Sequence, residues 1–307
     1  MGCELRKNPV RILKNFESDR LTPAKWIALA IGNSRLHWAW FQQGKLLDAW
    51  NTDHSALDST PLEFAHQSAN LLPTALAHTD FANLLFNFPL YIASVVPAQT
   101  AFWQTCSQSR LLTLAQIPLQ NLYPTLGIDR ALALWGAASR YGLPALVIDG
   151  GTALTFTAAD VQQELIGGAI LPGLALQKRS LSEQTAALPL VYSSSDRPQR
   201  WATTTVEAIH SGIFYTVLAG VQSFIADWQQ KFGEGAIVLT GGDASLLMSG
   251  LAAQNPELAQ KITIDPHLIF WGMQAIVEKE SFSLEQATEG EIRASQKPDR
   301  SDPSFQA

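Results

Sequence analysis

A short apolar run that ends in a glycine turn and resumes as a second β-type run occurs twice in this chain, the copies roughly 120 residues apart. The first copy joins 26–31 to 36–41 through Gly32-Asn33-Ser34; the second joins 145–148 to 154–157 through Asp149-Gly150-Gly151-Thr152. Helical periods alternate with these units, and helices are expected at 62–78, 98–109, 129–141, 174–186, 205–231 and 265–278. A third apolar run, 236–239, enters Thr240-Gly241-Gly242-Asp243 and continues as a helix-type segment. One hairpin design used twice, each time heading alternating helix and strand, constrains the chain to two α/β lobes. The break at Gly142-Leu143-Pro144 divides an N-terminal lobe, 25–141, from a C-terminal lobe, 142–278. The segments 1–24 and 279–307 are polar and mixed in charge, and disordered flanks are expected there.

Apolar residues make up 47% of the chain and charged residues 16%, which suits a packed core. The net charge is −6 and no basic run stands out, so long-range attraction to nucleic acid or an anionic membrane is excluded. A phosphate ligand must then be held locally, by backbone N–H groups, a metal or single basic residues. Cys3 and Cys106 form no disulfide framework or metal pattern. No apolar run reaches the ~18 residues of a membrane span, and the N-terminus lacks a secretory core. Met1-Gly2-Cys3 has Arg6 where myristoylation needs Ser or Thr. A reduced cytoplasmic protein is expected.

Glycines in a hairpin turn let backbone N–H groups approach phosphate oxygens without a Cβ in the way. Both turns offer this, with Asn33, Ser34 and Thr152 as side-chain donors, although the same residues are common in ordinary turns. Asp129, in Leu126-Gly127-Ile128-Asp129-Arg130, opens a helix of Ala and Leu. It would cap that helix or sit in its first turn, and it reads as no more than that or as a carboxylate base for a substrate hydroxyl, with Arg130 holding an anionic group. Asp149, at the mouth of the second turn, can hold a cation near phosphates or simply start the turn. Gly241-Gly242 can admit a flat adenosine. His37 and His210 lack partners at metal-ligand spacing, and the nine Trp residues are scattered as packing residues would be. No Walker A sequence, GxGxxG or GxSxG appears, which argues against P-loop, Rossmann and α/β-hydrolase enzymes. The 205–231 helix, opened by Thr204 and Glu207, carries Ile209, Phe214, Val217, Leu218, Val221 and Phe224 with Gly212 and Gly220. A two-fold dimer burying part of it or its neighbours is expected, the alternative being a helix buried in its own lobe.

Taken in order, the segments Ala30-Ile31-Gly32-Asn33-Ser34, Gly127-Ile128-Asp129-Arg130, Asp149-Gly150-Gly151-Thr152-Ala153, 167–173 (GGAILPG), Thr205 and Thr240-Gly241-Gly242 resemble the motifs of the type III pantothenate kinases. The resemblance spans about 25–277. It implies the two-lobed actin/Hsp70/hexokinase-like (ribonuclease H-like) fold, with mixed sheets flanked by helices and the nucleotide between the lobes. It implies ATP-dependent phosphorylation of pantothenate. Asp129 is then the proton acceptor, and Tyr123, Gly127, Ile128, Arg130 and Thr205 form the pantothenate site. ATP is implied at Ala30, Ile31, Gly32, Asn33, Ser34, Arg35, Leu36, His37 and Thr152, with magnesium accompanying it. Asp149 is implied to hold a monovalent cation, potassium or ammonium, and the family is typically a homodimer. Three positions depart from the family pattern. Ala30 replaces the first Asp of the phosphate turn, Thr157 stands at an often acidic position, and Gln120 replaces a substrate-lining Tyr, with Tyr123 nearby. A non-catalytic nucleotide-binding regulator, or a kinase of the same fold for another small hydroxylated substrate, are the competing readings.

Overall fold

The computed structural model describes residues 23–54, 59–68, 71–73, 76, 80–192 and 196–295. Its first sheet is built from β1 (Lys25–Ile31), β2 (Leu36–Gln42), β3 (Lys45–Thr52), β4 (Leu90–Ser94) and β5 (Ser109–Leu111), in the order β3-β2-β1-β4-β5. The second contains β6 (Ala145–Gly150), β7 (Ala153–Ala159), β8 (Leu165–Pro172), β9 (Ala236–Thr240) and β10 (Ile262–Ile264), in the order β8-β7-β6-β9-β10. Counted from its own first strand, each sheet has the same order. In each, the first three strands are antiparallel and the last two join in parallel. The repeat visible in the two glycine hairpins therefore extends to the topology of both lobes. This is the two-lobed mixed-sheet architecture of the actin-like ATPases.

β1 is buried on both faces, and alternation sends its side chains to different cores. Ile27, Leu29 and Ile31 face an outer core closed by α1 (Pro61–Gln67), α2 (Phe81–Asn87) and α3 (Pro97–Trp103). Trp26, Ala28 and Ala30 face a central layer made by α4 (Ile128–Tyr141) and α9 (Leu268–Ser295). That layer also meets Ala145 and Val147 of the second sheet, so one core binds both lobes. The two helices cross backbone to backbone. A Cβ on Gly136 would lie 2.9 Å from Gly272 N, so neither position tolerates a side chain without displacement. The far face of the second sheet is covered by α5 (Leu174–Gln184), α6 (Thr205–Phe232) and α7 (Ala244–Gln254), with α8 (Pro256–Ala259) beyond.

Several boundaries differ from expectation. The helix expected over 62–78 is the short α1, fixed by a Thr60/Glu63 capping box, and α2 follows after Asp80. The helix expected over 98–109 ends at Trp103, and 109–111 is an edge strand. Thr105 there donates to Phe102 O at 2.7 Å, and such local bonds compete with helix continuation. The chain beyond 278, expected to be disordered, continues α9 to Ser295. Residues 1–22 of the expected N-terminal flank, and 296–307 of the tail, lie outside the described residues. α6 is long and apolar enough by composition to cross a membrane, but Ile209, Phe214, Val217, Leu218, Val221 and Ile225 pack into the second lobe's core. The apolar face read as a dimer seam is therefore intramolecular, Phe224 alone of that set being exposed.

Candidate active site

The first glycine turn is closed by Gly32 N–H donating to Arg35 O at 3.0 Å. Its tip meets the second turn directly, with Ser34 Oγ 2.8 Å from Thr152 Oγ1. Two turns from opposite lobes thus share one cleft. Within the first segment, Ala30, Ile31 and Leu36 are buried and support the turn from beneath, while Asn33, Ser34 and Arg35 are exposed. His37 is half-buried and Nδ1 lies 2.6 Å from Asn51 Oδ1.

The second turn is assembled from three segments. Gly173 N–H donates to Thr152 O at 2.9 Å, which brings the N-terminus of α5 against it. Asp243 N–H donates to Gly150 O at 2.9 Å, and the Asp243 carboxylate accepts from Leu174 N–H. Gly241 adopts a left-handed φ of 88° and leaves no room for a Cβ, which would lie 2.8 Å from Gly150 N. The remaining N–H groups of the α5 first turn, beside two glycine turns, suit a polyphosphate. Behind them Lys178 is only 5% exposed, its pKa lowered by burial and opposed by the charge of Asp243. Sequence reading passed over Lys178 because a lysine within a helix period normally marks a solvated face.

Asp129 is not the cap of α4. Gly127 occupies the N-cap, and Asp129 sits in the first turn with Oδ1 accepting from Arg130 N–H at 2.8 Å. Its charge is felt by Asp149 at the end of β6, whose pKa is pushed up from 3.8 to about 6, mainly by burial and then by Asp129. Among the described residues no hydrogen-bond donor compensates the Asp149 carboxylate. A buried carboxylate without a donor fits a hard cation, so the residues present accommodate one.

Arg130 is 9% exposed. Nε donates to Thr157 Oγ1, Nη1 to Tyr123 Oη and Nη2 to Phe156 O, each at 3.0 Å. Every acceptor is neutral, and among the described residues no carboxylate forms an ion pair with the guanidinium. Gly168 makes this possible, since a Cβ there would lie 2.7 Å from Nη2. Tyr123, 40% exposed, accepts from Arg130 and keeps its own O–H free to donate. Gln120 is turned away, its backbone and side chain bonded to the Gln162–Gln163 turn. Ile128 is buried beneath the site. Thr205 is exposed, next to the Thr204 that caps α6 through Glu207 N–H at 3.3 Å; no contact among the described residues joins it to Asp129.

Two joined glycine turns, a carboxylate at a helix start and an unpaired buried cation define a nucleotide-handling phosphotransferase-type cleft. The family model for type III pantothenate kinase matches residues 26–227, and the chain belongs to that family. A type III pantothenate kinase from Nostoc sp. is 47% identical over 265 residues, covering 82% of this chain and 94% of that protein. One from Synechocystis sp. is 45% identical, covering 85% and 93%. Among solved structures, a Baf family protein from Campylobacter jejuni superposes with a TM-score of 0.53 at 20% identity, covering 83% of this chain and 98% of that one, a likeness of fold.

Proposed function

We propose that this chain transfers the γ-phosphoryl group of ATP to the primary hydroxyl of pantothenate. The observation that carries the reading is Arg130: a buried guanidinium with only neutral acceptors among the described residues, one residue from a cleft carboxylate. Leaving a buried charge unpaired is costly, so an anionic ligand is the natural partner. Successive helix residues diverge by about 100°, so Asp129 and Arg130 can address different ends of one substrate. Pantothenate has a hydroxyl at one end and a carboxylate at the other. Asp129 accepts the hydroxyl proton, and Arg130 and Tyr123 hold the carboxylate. Gly127 and Ile128 shape the floor, and Thr205 contributes from the start of α6. The turn at 32–35 and Thr152 bind the phosphates of magnesium-ATP, with His37 beside the turn. Phosphoryl transfer asks a protein chiefly for such positioning.

The test is ADP release by the purified chain with magnesium, potassium and ATP, with and without pantothenate, and with the phosphorylated product identified by mass. Pantothenate-dependent turnover is expected. ATP binding without turnover favours a nucleotide-binding regulator, and turnover only with another hydroxylated acid favours a different kinase.

Asp149 is proposed to hold a monovalent cation such as potassium. Its raised pKa means that the folded protein disfavours the ionised form. The protonated carboxyl is tolerated below 3.8; stability is lost as pH rises through about 6, by on the order of 3 kcal/mol. A bound cation offsets that loss only where Asp149 is ionised. Replacing tetramethylammonium by potassium should raise Tm by roughly 5 °C at pH 7.5 and little at pH 5. Asp149→Asn should raise the potassium-free Tm at pH 7.5 and abolish the potassium effect. A potassium effect that survives the substitution removes Asp149 from the site.

A homodimer is also proposed. The outward face of α6 carries Ala208, Gly212, Thr216, Ala219 and Ser223, and a Cβ on Gly212 or Gly220 would meet nothing within 4 Å. Exposed Val206, Phe224 and, on β8, Ile166 and Ile170 extend an apolar surface. Sedimentation at micromolar concentration should give a dimer, and Gly212→Arg a monomer; a monomeric parent chain ends the proposal.

A further inference from the structure

The inner face beside the first phosphate turn carries a side chain with one polar atom unused. Register places Ala30, His37 and Asn51 in one row across β1, β2 and β3. Asn51 Oδ1 can only accept, so His37 Nδ1 carries the ring hydrogen and Nε2 keeps its lone pair. Nε2 is turned toward the glycine turn, where a Cβ on Gly32 would lie 3.6 Å from it. No donor among the described residues reaches it. Burial holds the His37 pKa below its ordinary value; Asn51 opposes this, and the charges of Arg35 and His54 support it, so the ring is neutral at neutral pH. On the same turn, His54 Nε2–H donates to Gly32 O at 2.8 Å. The turn is therefore flanked by a donor that is satisfied and an acceptor that is not.

Magnesium-ATP brings two kinds of group to such a turn. Phosphate oxygens accept, and backbone N–H groups with the Ser34 and Thr152 hydroxyls serve them. Waters on magnesium donate, and magnesium keeps several of them when bound to phosphates. Ala30 has no acceptor to offer these waters, whereas Nε2 of His37, its cross-strand neighbour, lies beside the turn with no donor bound to it among the described residues.

We propose that His37, held in one tautomer by Asn51, accepts a hydrogen bond from a magnesium-bound water of magnesium-ATP and so makes the turn select the metal complex over free nucleotide. This rests on the nucleotide part of the reading above and not on the pantothenate part.

The test is calorimetric binding of ATP to the full chain, with excess magnesium or with EDTA, in the absence of pantothenate. His37→Leu should weaken magnesium-ATP by about tenfold and metal-free ATP by less than about twofold. His37→Gln, which keeps an acceptor oxygen, should stay within about threefold of the parent for both. Ala30→Asp in the His37→Leu background should recover most of the loss, because it places a carboxylate on the cross-strand neighbour. Equal losses for the two forms of ATP, or no loss in either, overturn the proposal. A second readout is the His37 ring proton signal in the unsubstituted protein, which does not depend on a variant folding. Its titration midpoint should fall further when magnesium-ATP binds; a ring that becomes protonated on binding overturns the proposal. Loss of pantothenate turnover with magnesium selectivity intact counts against the substrate assignment alone.

Discussion

Asp129→Asn lowers kcat for pantothenate phosphorylation by roughly 10²–10⁴ and leaves ATP affinity within about twofold. The substitution keeps the size of the side chain and an oxygen able to accept from Arg130 N–H, the one hydrogen bond of the Asp129 side chain among the described residues. Because Gly127 and not Asp129 caps α4, the helix loses no cap. The variant should therefore melt close to the parent, and a loss of turnover reports on proton acceptance and not on folding. The phosphate turns lie on other segments, so nucleotide binding survives. Unchanged turnover in a folded variant would remove Asp129 from the chemistry.

Arg130→Met behaves differently. It keeps much of the buried stem but removes the charge and the fork of donors. The expected result is a KM for pantothenate raised by roughly 10–10²-fold, with a smaller change in kcat. Stability should also fall, since Thr157, Phe156 O and Tyr123 lose a buried partner. The specific readout is discrimination between pantothenate and its amide, which lacks the carboxylate charge. The parent should prefer the acid and Arg130→Met should not. A variant that still prefers the acid shows that the anion is held elsewhere, and Arg130 is then a joint between α4 and β7.

The hairpins were legible because their signal is local: an apolar run, a glycine turn and a second run. That they meet, Ser34 against Thr152, is a property of two lobes folding onto shared helices, and no segment contains it. Asp129 and Asp149 could be named from motif order. The partners of Arg130 could not, because Phe156 and Thr157 reach it from another lobe. Nothing local tells that Gln120 is bonded to the β7–β8 turn while Tyr123 meets Arg130. The C-terminal boundary failed for a different reason. Polar composition beyond 278 suggests disorder, yet α9 continues, with Ser281 buried one turn past Val277 and donating to its carbonyl. Short helices such as α1 and α2 are set by capping residues and tertiary packing, which leave a faint period.

The backbone contact between Gly136 and Gly272 gives the proposed base an unusual mounting. α4 belongs to neither lobe alone; it is an axle lying between the sheets, with its bearing where it crosses α9. Asp129 stands seven residues from that bearing, about 10 Å along the axle. A turn of 10° about the crossing would carry its carboxylate by about 2 Å, enough to make or break proton transfer, which needs contact within about 3 Å. Any rotation of α4 against α9 would therefore re-aim Asp129 as well.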